Sequence, residues 1–316
     1  MDDLQAPRFR PHCGLCSVLA ALNPGAAAHD DAPQPGRRRF GAAALAAGAT
    51  LALPAWGREG VDVGKKSMAV GLVPAEKVEG AATQQYGQMM AEARRKGALA
   101  PDEHPQVVRL RAIAQRIVPF SNEWNERAKG WRWEVNLLGS KQINAFCMPG
   151  GKIAFYSGIL QQLQLDDDEV AAIMGHEVAH ALREHARERI GKSNATGVAL
   201  SLGASLLGLG AIGDVAANLG TQLLSMKFGR DDETEADLVG LELAARAGYD
   251  PAAAVRLWQK MGQASKGAPP QWLSTHPSNT SRIQDIQANL HKVQPLYARA
   301  PRPSRRYPPM AAASGG

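Results

Sequence analysis

Apolar residues recur at helical spacing through residues 75–96 and again through 105–119, where Val107, Leu110, Ile113 and Ile117 share one face. Pro101 and Pro105 fall between the two stretches and Pro119 closes the second, so the pattern predicts two packing helices. From 131 to 137 the period changes to two. Trp131, Trp133, Val135 and Leu137 alternate with Arg132, Glu134 and Asn136, which predicts a half-buried strand. Residues 142–148 and 152–156 predict two more strands, joined across Pro149-Gly150-Gly151, whose glycines permit positive φ. A small antiparallel sheet is therefore expected ahead of the next helix.

That helix is read from "LDDDEVAAIMGHEVAHALREHARERI". Asp166 or Asp167 can cap it, acids suit its positive end, and Val170, Ile173, Met174, Val178 and Leu182 supply an apolar face. A second helical segment follows in "GRDDETEADLVGLELAARAG". Between them, Ser193 to Gly213 is an uncharged run of 21 residues, long enough on paper to span a bilayer but interrupted by five glycines. A single crossing would also put His180 and Glu233 on opposite sides. The run is expected to form a Gly-broken helical hairpin over a cleft, as a lid or a membrane-surface contact.

Composition changes the picture at the ends of the chain. The 316 residues are 45% hydrophobic and 21% charged, with a formal charge of +6. Residues 1–55 carry +1 and residues 292–316 carry +5, so residues 56–291 are neutral, which argues against a nucleic-acid partner. Arg37-Arg38-Arg39-Phe40 precedes an Ala- and Leu-rich uncharged run to Trp56, a pattern similar to a twin-arginine export signal and one that implies a periplasmic location. Four segments are expected: a removable signal over 1–55, a linker over 56–74, a catalytic domain over 75–291 and a disordered basic tail over 292–316. Cys13 and Cys16 lie ahead of the apolar run, leaving Cys147 alone, expected as a small buried apolar residue.

The candidate chemistry is His176-Glu177-x-x-His180. A spacing of four puts both imidazoles on one helix face, where two nitrogens can reach a single zinc ion at about 2.1 Å. Glu177 then stands beside the metal, placed to take a proton from water and pass it to a departing amine. A catalytic zinc normally takes a third protein ligand. His185, five residues past His180 and about 140° round an unbroken helix, is expected to point away into solvent. Glu233 is the better candidate, with Asp237 one turn on and able to accept the N–H of a ligating histidine. The surrounding Asp231, Asp232, Glu235 and Glu242 read as a solvated face.

These residues resemble the HtpX-like and CAAX-prenyl-protease-like zinc metallopeptidases, the gluzincins of metallopeptidase family forty-eight, and most closely their short periplasmic bacterial members. The resemblance covers about residues 75–290 and rests on "NAFCMPGGKIAFYSGIL" from Asn144, "GHEVAH" from Gly175, the E-x-x-A-D of Glu233, Ala236 and Asp237, and "THPSNTSRI" from Thr275. It implies an α+β zincin-like fold, mostly helical, with one Zn²⁺ per chain on His176, His180 and Glu233. It also implies Glu177 as general base and Asp237 as a carboxylate supporting a ligand. His276 looks like the family's additional active-site histidine, which polarises the substrate carbonyl or occupies the open metal position at rest. Arg282 is expected to hold a carboxylate. Asn144, Ala145 and Phe146 resemble the edge strand along which a substrate chain lies. The function so implied is a zinc endopeptidase acting on unfolded or misassembled cell-envelope proteins. The alternative is a chaperone-like assembly factor that keeps the metal site without turnover.

Overall fold

The computed structural model describes residues 58–195, 222–265, 270–277 and 280–311, all within one compact unit, Trp56–Gly316. Helix α1 (Ala75–Arg95) follows Pro74 and buries Val78, Ala82, Tyr86 and Met90. Helix α2 (Pro105–Ile117) begins on a proline, whose missing N–H costs nothing there, and His104 caps it by accepting from the Gln106 N–H. Its four expected apolar positions are all buried.

Strands β1 (Glu134–Leu138), β2 (Ala145–Met148) and β3 (Lys152–Tyr156) form one sheet in the order β1-β3-β2. The sheet is mixed, not antiparallel throughout: β2 and β3 make the expected hairpin, with Gly150 and Gly151 at φ +85° and +77°, whereas β1 runs parallel to β3. The hairpin folds so that β3 takes the centre, and β1 reaches it across the segment 139–144. Ile153, Ala154 and Phe155 are accordingly shielded on both faces. β2 is left as an edge.

After the short helix α3 (Ser157–Gln162), helix α4 (Asp167–Leu182) starts at a capping box in which the Asp166 carboxylate accepts from the Glu169 N–H and the Glu169 carboxylate accepts from the Asp166 N–H. Every residue from Glu169 to Leu182 is buried. Arg183 ends the helix, Glu184 adopts φ +61°, and α5 (His185–Ala195) sets off in a new direction. Helix α6 (Arg230–Arg246) packs against α4, followed by α7 (Ala253–Ala264), α8 (Gln271–Thr275) and α9 (Thr280–Arg299). The expected hairpin over 193–213 lies, from residue 196 onward, outside the described residues, as does the expected signal region. Among the described residues no helix is long and apolar enough to cross a membrane.

Two expected loose segments are ordered. Within the expected linker, Val61, Val70 and Val73 are buried, and the buried Glu242 carboxylate accepts from Arg58, from Arg246 and from the Val61 N–H at 2.6–2.8 Å. The expected tail begins inside α9, where Val293 and Leu296 are buried. Beyond the helix, Arg306 pairs with Asp168 and the Tyr307 N–H donates to Asp167, both at 2.8 Å. An arginine-rich tail looks solvated when read alone; here residues 306 and 307 meet the acidic first turn of α4, which only folding brings near.

The α4–α6 crossing sets the site. A Cβ on Gly175 would lie 2.7 Å from the Gly240 carbonyl, and one on Gly240 would lie 2.7 Å from the His176 amide nitrogen. Backbone meets backbone at both points, so no side chain can swing aside. Gly240→Ala is expected to force the helices apart at a cost of about 1–3 kcal/mol. The same change should lower metal content in the surviving folded protein, whereas Gly262→Ala, which meets open space on an exposed helix face, should leave metal content unchanged and raise stability by about 0.5–1 kcal/mol. Thermal unfolding with metal analysis checks both.

Candidate metal centre

The pairs Gly175–Gly240, His176–Asp237 and His180–Glu233 advance along α4 while receding along α6, so the two helices run antiparallel through the site. Helix α4 contributes His176, Glu177 and His180, α6 contributes Glu233 and Asp237, and the end of α8 contributes His276. All are buried.

Four of these side chains converge. His176, His180, Glu233 and His276 each present one ligand atom within 4.8 Å of the others. His176 Nε2 lies 3.1 Å from His180 Nε2 and 3.3 Å from His276 Nδ1. Glu233 Oε1 lies 3.0 Å from His276 Nδ1 and 3.5 Å from His180 Nε2, and Oε2 lies 3.6 Å from His176 Nε2. Bonds of about 2.0–2.1 Å to one tetrahedral ion put ligand atoms about 3.3–3.4 Å apart, and four separations among His176 Nε2, His180 Nε2, His276 Nδ1 and Glu233 Oε1, 3.0–3.5 Å, lie close to that value. Glu233 Oε2 also lies 2.5 Å from Arg282 Nη1 as an ion pair. Three imidazole nitrogens and a carboxylate oxygen form an N/O donor set suited to zinc and other divalent ions of similar hardness.

Neighbours set the state of these groups. The Asp237 carboxylate faces His176 Nδ1 at 2.9 Å, so Nδ1 carries the proton and Nε2 presents its lone pair to the cluster. Arg282 holds both oxygens of Asp237 at 2.8 Å. Burial alone would raise the Asp237 pKa, but the Arg282 guanidinium and the His176 N–H outweigh it and bring it down to about 2. Glu233 is likewise held below the ordinary carboxylate range: burial opposes this, and His276, His176 and Arg282 prevail. His180 is driven well below the usual imidazole range by burial and by the imidazoles of His176, His185 and His276, which keeps it neutral and competent as a donor. His276 moves upward despite its burial, because Glu177 and Glu233 both face it.

Asn144, Ala145 and Phe146 lie at the start of β2 and line a cleft whose other walls include Glu177, His180, Met148, Leu223, Phe228 and His276. Cys147 lines the same cleft and is half-buried, packed against the core from the edge strand β2. His185 departs furthest from expectation. It is 1% exposed, and its Nδ1 lies 2.8 Å from His180 Nδ1. The expected direction assumes one unbroken helix, and the kink at Arg183–Glu184 turns His185 back under His180. Glu235, expected on a solvated face, meets His185 Nε2 at 3.3 Å, and Glu242 is fully buried. Trp272 is a site residue that sequence reasoning misses. Its Nε1–H donates to Glu177 Oε1 at 2.6 Å, and its ring stacks on His276 with centroids 5.0 Å apart. The available signal is a tryptophan four residues before the H-P pair, since a buried indole needs an acceptor.

An HExxH helix crossed by a second helix that delivers a carboxylate, beside a small mixed sheet, defines a zincin-like α+β domain. The sequence profile described as Peptidase family M48 matches residues 106–290, and the chain belongs to that family. It is 34% identical over 199 residues to "Mitochondrial metalloendopeptidase OMA1" of Schizosaccharomyces pombe, covering 62% of this chain and 56% of that one. It is 28% identical over 188 residues to "Metalloprotease LoiP" of Escherichia coli K12, covering 56% and 70%. To the "Beta-barrel assembly-enhancing protease" of Yersinia pestis it is 29% identical over 172 residues, covering 50% and 35%. The alignments span 56%, 33% and 60% of the OMA1 proteins of S. pombe, Arabidopsis thaliana and Saccharomyces cerevisiae. Those three are mitochondrial by name, which overturns the periplasmic expectation. The expectation rests on an Arg-rich, Ala-rich leader, and such a composition does not separate one targeting signal from another.

Removing Arg282 would leave two buried carboxylates facing each other without their cation. Arg282→Ala is expected to destabilise the chelated protein by about 3–5 kcal/mol in urea unfolding, with Arg282→Lys recovering part of it. The pH dependence follows from the depressed acid. Asp237's contribution is complete above about pH 4, its ordinary range, and is lost as pH falls through about 2. Chelated Asp237→Asn protein should therefore start less stable at pH 7 and lose less than wild type between pH 5 and pH 2, by about 2 kcal/mol.

Proposed function

We propose that this chain is a zinc-dependent endopeptidase that cleaves extended, unfolded or misassembled protein chains, with one Zn²⁺ held by His176, His180 and Glu233. The observation that carries this reading is a buried four-donor cluster spaced for one ion, standing beside Glu177 in a cleft walled by β2, which among the described residues pairs on one side only. Family membership implies a divalent metal, and the donor set fits it. When bound, that ion would supply Lewis acidity toward the scissile carbonyl and the attacking water.

The chain's own residues do the rest. Glu177, fixed by the Trp272 indole, takes the proton from water and returns it to the departing amine. His276 Nε2 lies 3.6 Å from Glu177 Oε1 while its Nδ1 lies at the fourth corner of the cluster. A catalytic zinc site keeps one position open. This placement supports His276 as the group that fills that corner at rest and, once displaced, steadies the developing oxyanion. Asp237 and Arg282 orient His176 and neutralise the cluster.

Substrate is engaged by main chain. Among the described residues β2 pairs with β3 on one side only, so an extended peptide can add to its free edge at Asn144, Ala145 and Phe146. Backbone pairing reads extension more than sequence, and Phe146, Met148, Leu223 and Phe228 offer apolar contacts. Both features favour chains with exposed backbone and apolar side chains, hence quality control. The Yersinia relative is named for enhancing β-barrel assembly, which supports misassembled β-barrel proteins as one client class.

Glu177→Gln is expected to keep one zinc per chain and to lose casein hydrolysis by about 10²–10⁴-fold, the usual cost of removing a general acid–base. Glu233→Ala should lose the metal as well. Undiminished hydrolysis by purified Glu177→Gln protein would overturn the mechanism, and client protection without any wild-type turnover would favour an assembly factor.

A further inference from the structure

The proposed mechanism leaves one buried imidazole without a task. His185 sits at the first position of α5, 1% exposed, and a buried polar ring is costly unless its nitrogens are satisfied. Both are. Nδ1 lies 2.8 Å from His180 Nδ1, and Nε2 lies 3.3 Å from Glu235 Oε2. Arg183 Nε donates to the same carboxylate oxygen at 2.7 Å.

Proton positions follow from the partners. An ionised carboxylate only accepts, so the His185 proton is on Nε2, and in a neutral imidazole that leaves Nδ1 as an acceptor. Only one proton fits between two Nδ1 atoms 2.8 Å apart, so His180 supplies it. His180 Nε2 is then the lone-pair nitrogen, and that atom faces His176 Nε2 and Glu233 in the cluster. Asp237 imposes the same tautomer on His176 directly. The chain geometry serves this contact: Glu184 is held at φ +61°, an unfavourable backbone for a residue with a side chain, and that turn carries His185 back to His180. Lys66 and Arg187 hold the Glu184 carboxylate at 2.9 and 2.7 Å, pinning the turn.

We propose that His185, oriented by Glu235, is a positioning residue that locks His180 in its Nδ1–H form and so aims Nε2 at the metal. This rests on the reading of His180 as a metal ligand. The experiment is zinc affinity of the full chain by competition with a chromophoric chelator. Glu235→Ala is expected to weaken binding 10–100-fold, the usual effect of removing a partner of a ligating histidine. Glu235→Gln, which still offers an oxygen to His185, should restore near-wild-type affinity. Arg183→Gln, which removes the other partner of Glu235, should lower thermal stability with little change in affinity. Imidazole ¹⁵N shifts of the zinc-loaded wild type should show His180 protonated at Nδ1. Wild-type affinity in Glu235→Ala, an equal loss in Arg183→Gln, or a proton on His180 Nε2 would each overturn the proposal. A failure of His180→Ala and Glu233→Ala to weaken zinc would instead overturn the underlying ligand assignment.

Discussion

The organisation of this molecule depends on how closely α4 and α6 approach. Two glycines, Gly175 and Gly240, let the helix backbones touch, and that contact places the His176–His180 face of one helix against the Glu233–Asp237 face of the other. A residue with any side chain at the crossing would separate the helices. The separations of 3.0–3.5 Å that suit one shared ion would then be lost. Strand β2 packs on α4 and residues 306 and 307 tie down its first turn, so α4 is held from outside.

Close approach of so many polar groups in a dry interior has its own cost, and the surroundings answer it with charge. Arg282 neutralises Asp237 and Glu233 from one side, Asp237 fixes His176, and Trp272 fixes Glu177. Buried ion pairs of this kind contribute little net stability, because desolvation offsets attraction. Their effect is to hold each donor atom in one orientation and one protonation state, which metal binding requires. His185 and Glu235 extend the same arrangement to His180.

Much of the site is legible in the sequence, for particular reasons. His176, Glu177 and His180 are local: a 3.6-residue period alone puts the two imidazoles on one face. Glu233 and Asp237 are one turn apart and so share a face as well, and the structure sets that face opposite the histidines. The helices at 75–95 and 105–117 follow from periodicity and prolines. What fails does so where local rules are extended past a break or across space. His185 is misread because a helical wheel is carried through the kink at Glu184. Strand direction is misread because alternation says that a strand exists, not which neighbour it pairs with, and β1 pairs parallel with β3. Location is misread because leader composition is shared among compartments.

The amino-acid sequence by itself therefore determined most of the elements, the cap of α4 and the donor atoms that each helix can present on one face, since these depend on neighbours within a few residues. Tertiary structure alone decided that two helices, about 60 residues apart in the chain, meet on their glycines, that Trp272 and His276 close over the resulting cluster, and that Glu235 stands behind His185. The physical reason is that burial and hydrogen bonding depend on distances in space, and long-range packing sets those distances.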